Sequence, residues 1–139
     1  MARRSLLVGF GGFLPARVVS NDELAARLET SNEWIKTRTG ITQRHIAGEH
    51  DTATSMGAAA ARKALEYAGL NADDIDAVIV ATSTPDQAFP ATAVRIQAEL
   101  GMTQGFGFDL AAACSGFIYG LSTADAFIRA GQARNILVI

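Results

Sequence analysis

Gly105-Phe-Gly-Phe-Asp-Leu-Ala-Ala-Ala-Cys-Ser-Gly-Phe117 carries the only cysteine of the 139-residue chain and decides how the rest is read. Phe106 to Leu110 predicts a short buried strand, and the residues at or beside Cys114 predict the start of a helix. Between them, three alanines and then Gly116 leave room for a sharp bend and for close approach of a ligand. A thiol at a helix start lies in the field of unpaired N–H groups, which favours the thiolate, the nucleophilic form of cysteine. On these residues alone two readings of Cys114 stay open. It is a small buried hydrophobe, as lone cysteines often are, or it is a nucleophile presented by a strand–turn–helix.

Working outward, Ser5 to Phe10 predicts a strand ended by Gly11-Gly12. Ser20-Asn-Asp-Glu23 is a capping box opening a short helix through Leu28, and Thr30-Ser-Asn-Glu33 repeats the pattern for a helix that carries Trp34, Ile35 and Arg38 up to Gly40. Arg44 to Ile46 predicts a brief strand. Asp51 or Thr52 caps a helix reaching about Ala68, followed by Gly69, and its alanines suit close packing. Asp76 to Thr82 is a continuous apolar run, the pattern of a parallel strand covered on both faces. After a loop from Ser83 to Pro90, Ala91 to Leu100 predicts a helix with Ala93, Ile96 and Leu100 on one face, stopped by Gly101. The Cys114 helix runs to about Ala130; from Cys114 through Ala124 it carries no charge, which predicts burial nearly all round. Ile136 to Ile139 predicts another inner strand. The order β-α-β-α-β-α-β is that of an α/β fold with a mostly parallel sheet.

The composition is 49% hydrophobic and 19% charged, with mean hydropathy +0.17, more apolar than an average soluble domain. A formal charge of −2 gives no basic footprint and argues against a nucleic-acid partner. One cysteine excludes an internal disulfide and a cysteine-based metal cluster; no metal is expected, and a reducing cytoplasm is the expected location. Met1 to Leu14 has the charged and apolar regions of a short signal peptide, but its glycines weaken a helical apolar region, Pro15-Ala-Arg17 is a poor cleavage site, and a buried first strand explains the run as well. No uncharged run reaches the ~20 residues of a membrane-spanning helix. Ending on an apolar strand, with termini normally at the surface, leads to the expectation that a second half is missing or lies on a separate chain.

Three stretches together, Thr30-Ser-Asn-Glu-Trp-Ile-Lys-Thr-Arg-Thr-Gly-Ile-Thr-Gln-Arg-His-Ile46, Ala88-Phe-Pro90 and Asp109-Leu-Ala-Ala-Ala-Cys-Ser-Gly-Phe117, resemble beta-ketoacyl-acyl carrier protein synthase III, from about Leu6 to Ile139. The resemblance implies a thiolase-type fold in which residues 1–139 form the N-terminal half of a five-layer αβαβα architecture, a βαβαβαβ unit with a buried nucleophile helix. It implies a homodimer and an acyltransferase of fatty acid synthesis. Cys114 would accept an acyl group, acetyl being the expected starter, from acyl-CoA. The thioester would then condense with the carbanion of malonyl-acyl carrier protein. No cofactor is implied, because the CoA thioester is a substrate. By the same resemblance Trp34 stacks on the adenine of CoA, Arg38 and Thr30 contact its nucleotide or phosphates, and Phe89 crosses a dimer interface into the partner's acyl pocket. Read from the residues alone, Trp34 is a core anchor, Arg38 a solvated charge and Phe89 a loop aromatic on its own core.

The family's histidine and asparagine, which promote malonyl decarboxylation, belong to the C-terminal half that this sequence lacks. His45 and His50 do not match the histidine motif; His45 reads as a local structural residue and His50 as exposed. Two alternatives share the cysteine turn or the fold: a polyketide- or quinolone-type condensing enzyme with another starter, and an inactive fragment that only binds CoA or a partner half.

Overall fold

A computed structural model describes residues 4–139. They divide into two compact units, one comprising Leu14–Asp51 and the other Thr52–Ile139 together with the segment up to Phe13.

In the smaller unit, strand β1 (Arg17–Ser20) pairs antiparallel with β2 (Gln43–Ile46), Val18 opposite His45 and Val19 opposite Arg44. The sequence shows no alternation clear enough to announce β1. Ser20 caps helix α1 (Asn21–Ala25) by accepting the Glu23 amide, and the helix stops three residues short of the predicted Leu28. Helix α2 (Asn32–Thr39) is capped by Ser31 rather than Thr30: its hydroxyl accepts the Trp34 amide at 3.1 Å, and Gly40 closes the helix with φ +72°. Ile35, 6% exposed, is the residue that α2 buries.

In the larger unit, helix α3 (Ala53–Ala68) is followed by strand β3 (Ala77–Ala81), helix α4 (Thr92–Leu100), strand β4 (Phe106–Leu110), helix α5 (Gly116–Ala130) and strand β5 (Ile136–Val138). The three strands form a parallel sheet in the order β4-β3-β5. Strand side chains alternate between faces. Val78 and Val80 of β3, with Leu137 of β5, join Ala58, Ala61 and Leu65 of α3 and Ala93 and Ile96 of α4 in the main core. On the other face α5 lies close enough that a Cβ at Gly116 would sit 3.2 Å from Ala81 Cβ, and one at Gly120 2.9 Å from Val138 Cγ1. The small-residue stripe Gly116, Gly120 and Ala124 is therefore what lets α5 settle on the sheet. Phe127 of α5 meets Phe106 edge-on, ring centroids 5.5 Å apart, and pins the far end of the helix to β4.

Four expectations change. Residues 5–10 form no strand: no β-ladder joins them to a neighbour, and Ser5–Gly9 line, with Arg134–Leu137, a cleft of about 250 Å³. The segment is held instead by side chains, Ser5 Oγ donating to Asp125 at 2.8 Å and Lys63 donating to the Gly12 carbonyl at 2.9 Å. Strand β4 is an edge strand rather than a buried one, with Phe106 41% exposed. Strand β5 occupies the other edge rather than an inner place. Helix α5 is buried only along its small-residue stripe. Phe117, Ile118 and Tyr119 are each more than half exposed, because among the described residues a single layer covers the helix.

Candidate active site

Strands β3 and β4 run parallel with Ala81 opposite Leu110, so the segments that leave their C-terminal ends emerge from one edge of the sheet. In open parallel sheets this edge is where ligands bind. One of these segments is the loop 82–91, carrying Phe89; the other is the turn carrying Cys114.

The turn departs from the predicted helix start. Ala113, Cys114 and Ser115 form a single 3-10 turn, and α5 begins two residues after the cysteine. Ala113 has φ +43°, the only left-handed non-glycine among the described residues, a conformation that costs about 1–3 kcal/mol and persists only where its surroundings enforce it. Two features enforce it. The Ser115 amide donates to the Ala112 carbonyl at 3.0 Å, and Gly116 is seated against Ala81. The result is an exposed, unpaired Cys114 thiol at the mouth of the sheet, not a buried hydrophobe.

Two carboxylates organise the neighbouring loop, and sequence reasoning missed both. Helix α4 begins at Ala91, which has no side chain able to cap it. Asp109 of β4 takes that role, accepting the Thr92 and Ala93 amides at 2.8 Å each. Helix α3 caps its third amide with Thr52, while Ala53 (2.6 Å) and Thr54 (3.0 Å) donate their amides to Asp86 in the loop. The Thr54 hydroxyl also donates to Asp86, and Arg95 pairs with it at 3.2 Å. Burial pushes the Asp86 carboxyl up. The Thr54 hydroxyl, the Thr54 and Ala53 amides and the Arg95 charge together outweigh it and hold the group below the usual carboxylate range. An aspartate after Thr84-Pro85 and a lone charge inside Phe-Asp-Leu110 were the available signals.

A depressed folded-state pKa contributes stability that is fully present above the unfolded value, about 3.9, and is lost as pH falls through the folded one. The melting-temperature advantage of wild type over Asp86→Asn should therefore hold steady from pH 7 to 5 and shrink below about pH 4. Thermal melts across this range check it; an advantage that grows on acidification contradicts it.

In the smaller unit, Trp34 and Arg38 share one face of α2, as their i, i+4 spacing requires. The guanidinium carbon of Arg38 lies 4.5 Å from the centroid of the Trp34 ring, a cation–π contact, and the indole is 53% exposed. Trp34 is thus not a core anchor. The Thr30 hydroxyl oxygen is buried without a hydrogen-bond partner, a state that normally has a reason. Buried Asn21 steadies this unit: its amide donates to Asn32 (3.0 Å) and to the Ile41 carbonyl (2.7 Å), and its oxygen accepts from Arg44 (2.8 Å). His45 is structural, its Nδ1 donating to the Pro15 carbonyl at 2.6 Å, and His50 is exposed. Phe89 stands 88% exposed at the loop tip, not packed on its own core. Thr30, Trp34 and Arg38 thus belong to one unit, and Cys114 and Phe89 to the other.

Comparison with known proteins places this geometry. The family model of 3-oxoacyl-[acyl-carrier-protein] synthase III matches residues 108–139, the stretch from β4 through the cysteine turn to β5. The beta-ketoacyl-[acyl-carrier-protein] synthase III of Acidiphilium cryptum is 67% identical over 99% of this chain and 43% of its own length. Among solved structures, the 3-oxoacyl-[acyl-carrier-protein] synthase III of Aquifex aeolicus is 48% identical with TM-score 0.90, covering 94% of this chain and 42% of that one. The priming beta-ketosynthase of the R1128 polyketide pathway is 42% identical with TM-score 0.92, covering 99% and 42%. The chain thus spans less than half the length of the relatives it matches, and its α/β unit is part of their thiolase-type fold. Over nearly its whole length, the chain is similar to part of the beta-ketoacyl-[acyl-carrier-protein] synthase III enzymes.

Proposed function

We propose that this chain supplies the nucleophile and part of the CoA site of a condensing acyltransferase that starts fatty acid synthesis. The Cys114 sulfur attacks the thioester carbonyl of acyl-CoA, acetyl-CoA in the first instance. The carbon–sulfur bond to CoA breaks, CoA leaves as the thiol with the proton that Cys114 gives up, and the acyl group stays on Cys114. A thioester on the protein keeps its carbonyl electrophilic for the carbanion released when malonyl-acyl carrier protein loses carbon dioxide, which is covalent catalysis divided into two easier steps. Main-chain N–H groups of the turn, that of Cys114 included, serve the developing oxyanion. No cofactor enters. The observation that carries this reading is the exposed Cys114 in a strained turn at the C-terminal edge of a parallel sheet.

In the same proposal Trp34 stacks on the adenine, and Arg38 and Thr30 contact the nucleotide or its phosphates. Phe89 reaches the acyl pocket of a second copy in a homodimer. The chain acts as the N-terminal half, in the cytoplasm, and the decarboxylation residues come from a C-terminal half. Among the described residues no helix is long and apolar enough to cross a membrane.

Intact-mass measurement after mixing the chain with acetyl-CoA tests the reading: an acetyl increment that maps to Cys114 supports it. An unmodified chain that still binds CoA favours a binding fragment instead. The likeness to the R1128 priming ketosynthase supports a second reading, a polyketide-type enzyme with another starter. A panel of acyl-CoA lengths separates the two.

A further inference from the structure

We infer that Asp86 and Asp109 are positioning residues that clamp the loop tip 87–91 from both sides and thereby set where Phe89 is presented. The loop runs from the end of β3 to the start of α4 and has little internal fastening: the Thr84 amide donates to Thr82 Oγ1 at 3.1 Å, and the Gln87 side chain to the Phe89 carbonyl at 3.1 Å. Its residues are exposed from Ser83 to Phe89. The Asp86 side chain runs against that trend, only 17% exposed, because its carboxylate turns inward onto the first turn of α3. Arg95 of α4 closes on the same oxygen that receives Thr54, so Asp86 ties the loop to two helices.

Asp109 forms the second hold. It accepts the amides of Thr92 and Ala93, which are buried at 1% and 0% exposure and beyond the reach of water as a substitute. The tip carrying Phe89 is therefore bounded by an anchored Asp86 on one side and an anchored Thr92 on the other. The second anchor belongs to β4, the strand that leads directly to Cys114. The segment presenting the aromatic and the turn presenting the nucleophile thus share one support. That this sets acyl-chain preference rests on the proposed role of Phe89; the clamp itself does not.

The test uses the full chain, with Asp86→Asn and Asp109→Asn as variants and Thr54→Val as a milder one that keeps the carboxylate. The backbone 15N order parameters of Gln87, Ala88 and Phe89 should fall in Asp86→Asn into the flexible range, below about 0.6, while those of β3 stay at the rigid value of about 0.85. Asp109→Asn should do the same and also accelerate hydrogen exchange at Thr92 and Ala93, whose amides it accepts, and Thr54→Val should fall between wild type and Asp86→Asn. Acylation of Cys114 by octanoyl-CoA relative to acetyl-CoA should shift by about fivefold or more in Asp86→Asn, and likewise in Phe89→Ala, whose exchange at Ala53, Thr54 and Thr92 stays at wild-type rates. Unchanged order parameters at residues 87–89 in both Asp86→Asn and Thr54→Val overturn the clamp. Lower order parameters with an unchanged acyl ratio in Asp86→Asn and Phe89→Ala uphold the clamp and overturn the acyl-pocket role of Phe89. If wild type takes no acyl group, the proposed function falls and the order parameters alone decide the clamp.

Discussion

Cys114→Ser should leave the chain folded and take no acyl group from acetyl-CoA. Replacing sulfur by oxygen at an exposed position removes no packing, so stability should stay within about 0.5 kcal/mol of wild type. The chemistry is another matter. A thiol provides thiolate near neutral pH, whereas a serine hydroxyl needs a positioned base to attack. Losing the nucleophile should reduce acylation by at least about a thousandfold. Intact mass and a thermal melt on the same sample check both halves. Full acylation of the serine variant would show that another residue carries the acyl group.

Trp34→Ala should weaken CoA binding by about ten- to a hundredfold, the range expected from removing an aromatic platform for one base. The half-exposed indole does not anchor α2, a role that falls to Ile35, so the helix should survive the substitution. Trp34 is the only tryptophan in the chain, and its fluorescence reports on the site directly. CoA should quench it in wild type. Isothermal calorimetry supplies the affinity for the variant, which has no such signal. Arg38→Ala should also weaken binding, but its loss should diminish as salt rises, because a phosphate contact is screened and a stacking contact is not. Unchanged affinity in Trp34→Ala would remove the adenine from this face of α2.

The features legible in the sequence are those whose partners lie close along the chain. Ser20 and Thr52 cap helices by bonding an amide three residues on, and Gly40, Gly69 and Gly101 close three helices where expected. The apolar run 77–81 became the buried central strand, since continuous hydrophobicity has few other homes in a parallel sheet. The face shared by Trp34 and Arg38 followed from helical spacing alone.

What the tertiary structure decided depends on which distant segment arrives beside a residue. Asp109 caps α4 from 17 residues away and Asp86 caps α3 from 32 and 33 residues away, separations at which no local pattern records the pairing. Residues 5–10 have the composition of a strand, yet a strand needs a neighbour within hydrogen-bond reach, and among the described residues no strand pairs with them. The uncharged start of α5 reads as buried because sequence records a side chain's affinity for water but not how many layers pack against it. By itself, then, the sequence determined which residues form the helices, the central strand and the cysteine turn. The assembled fold decided how far α5 is covered and which carboxylates hold the loop beside the nucleophile, because both depend on contacts between residues far apart in the chain.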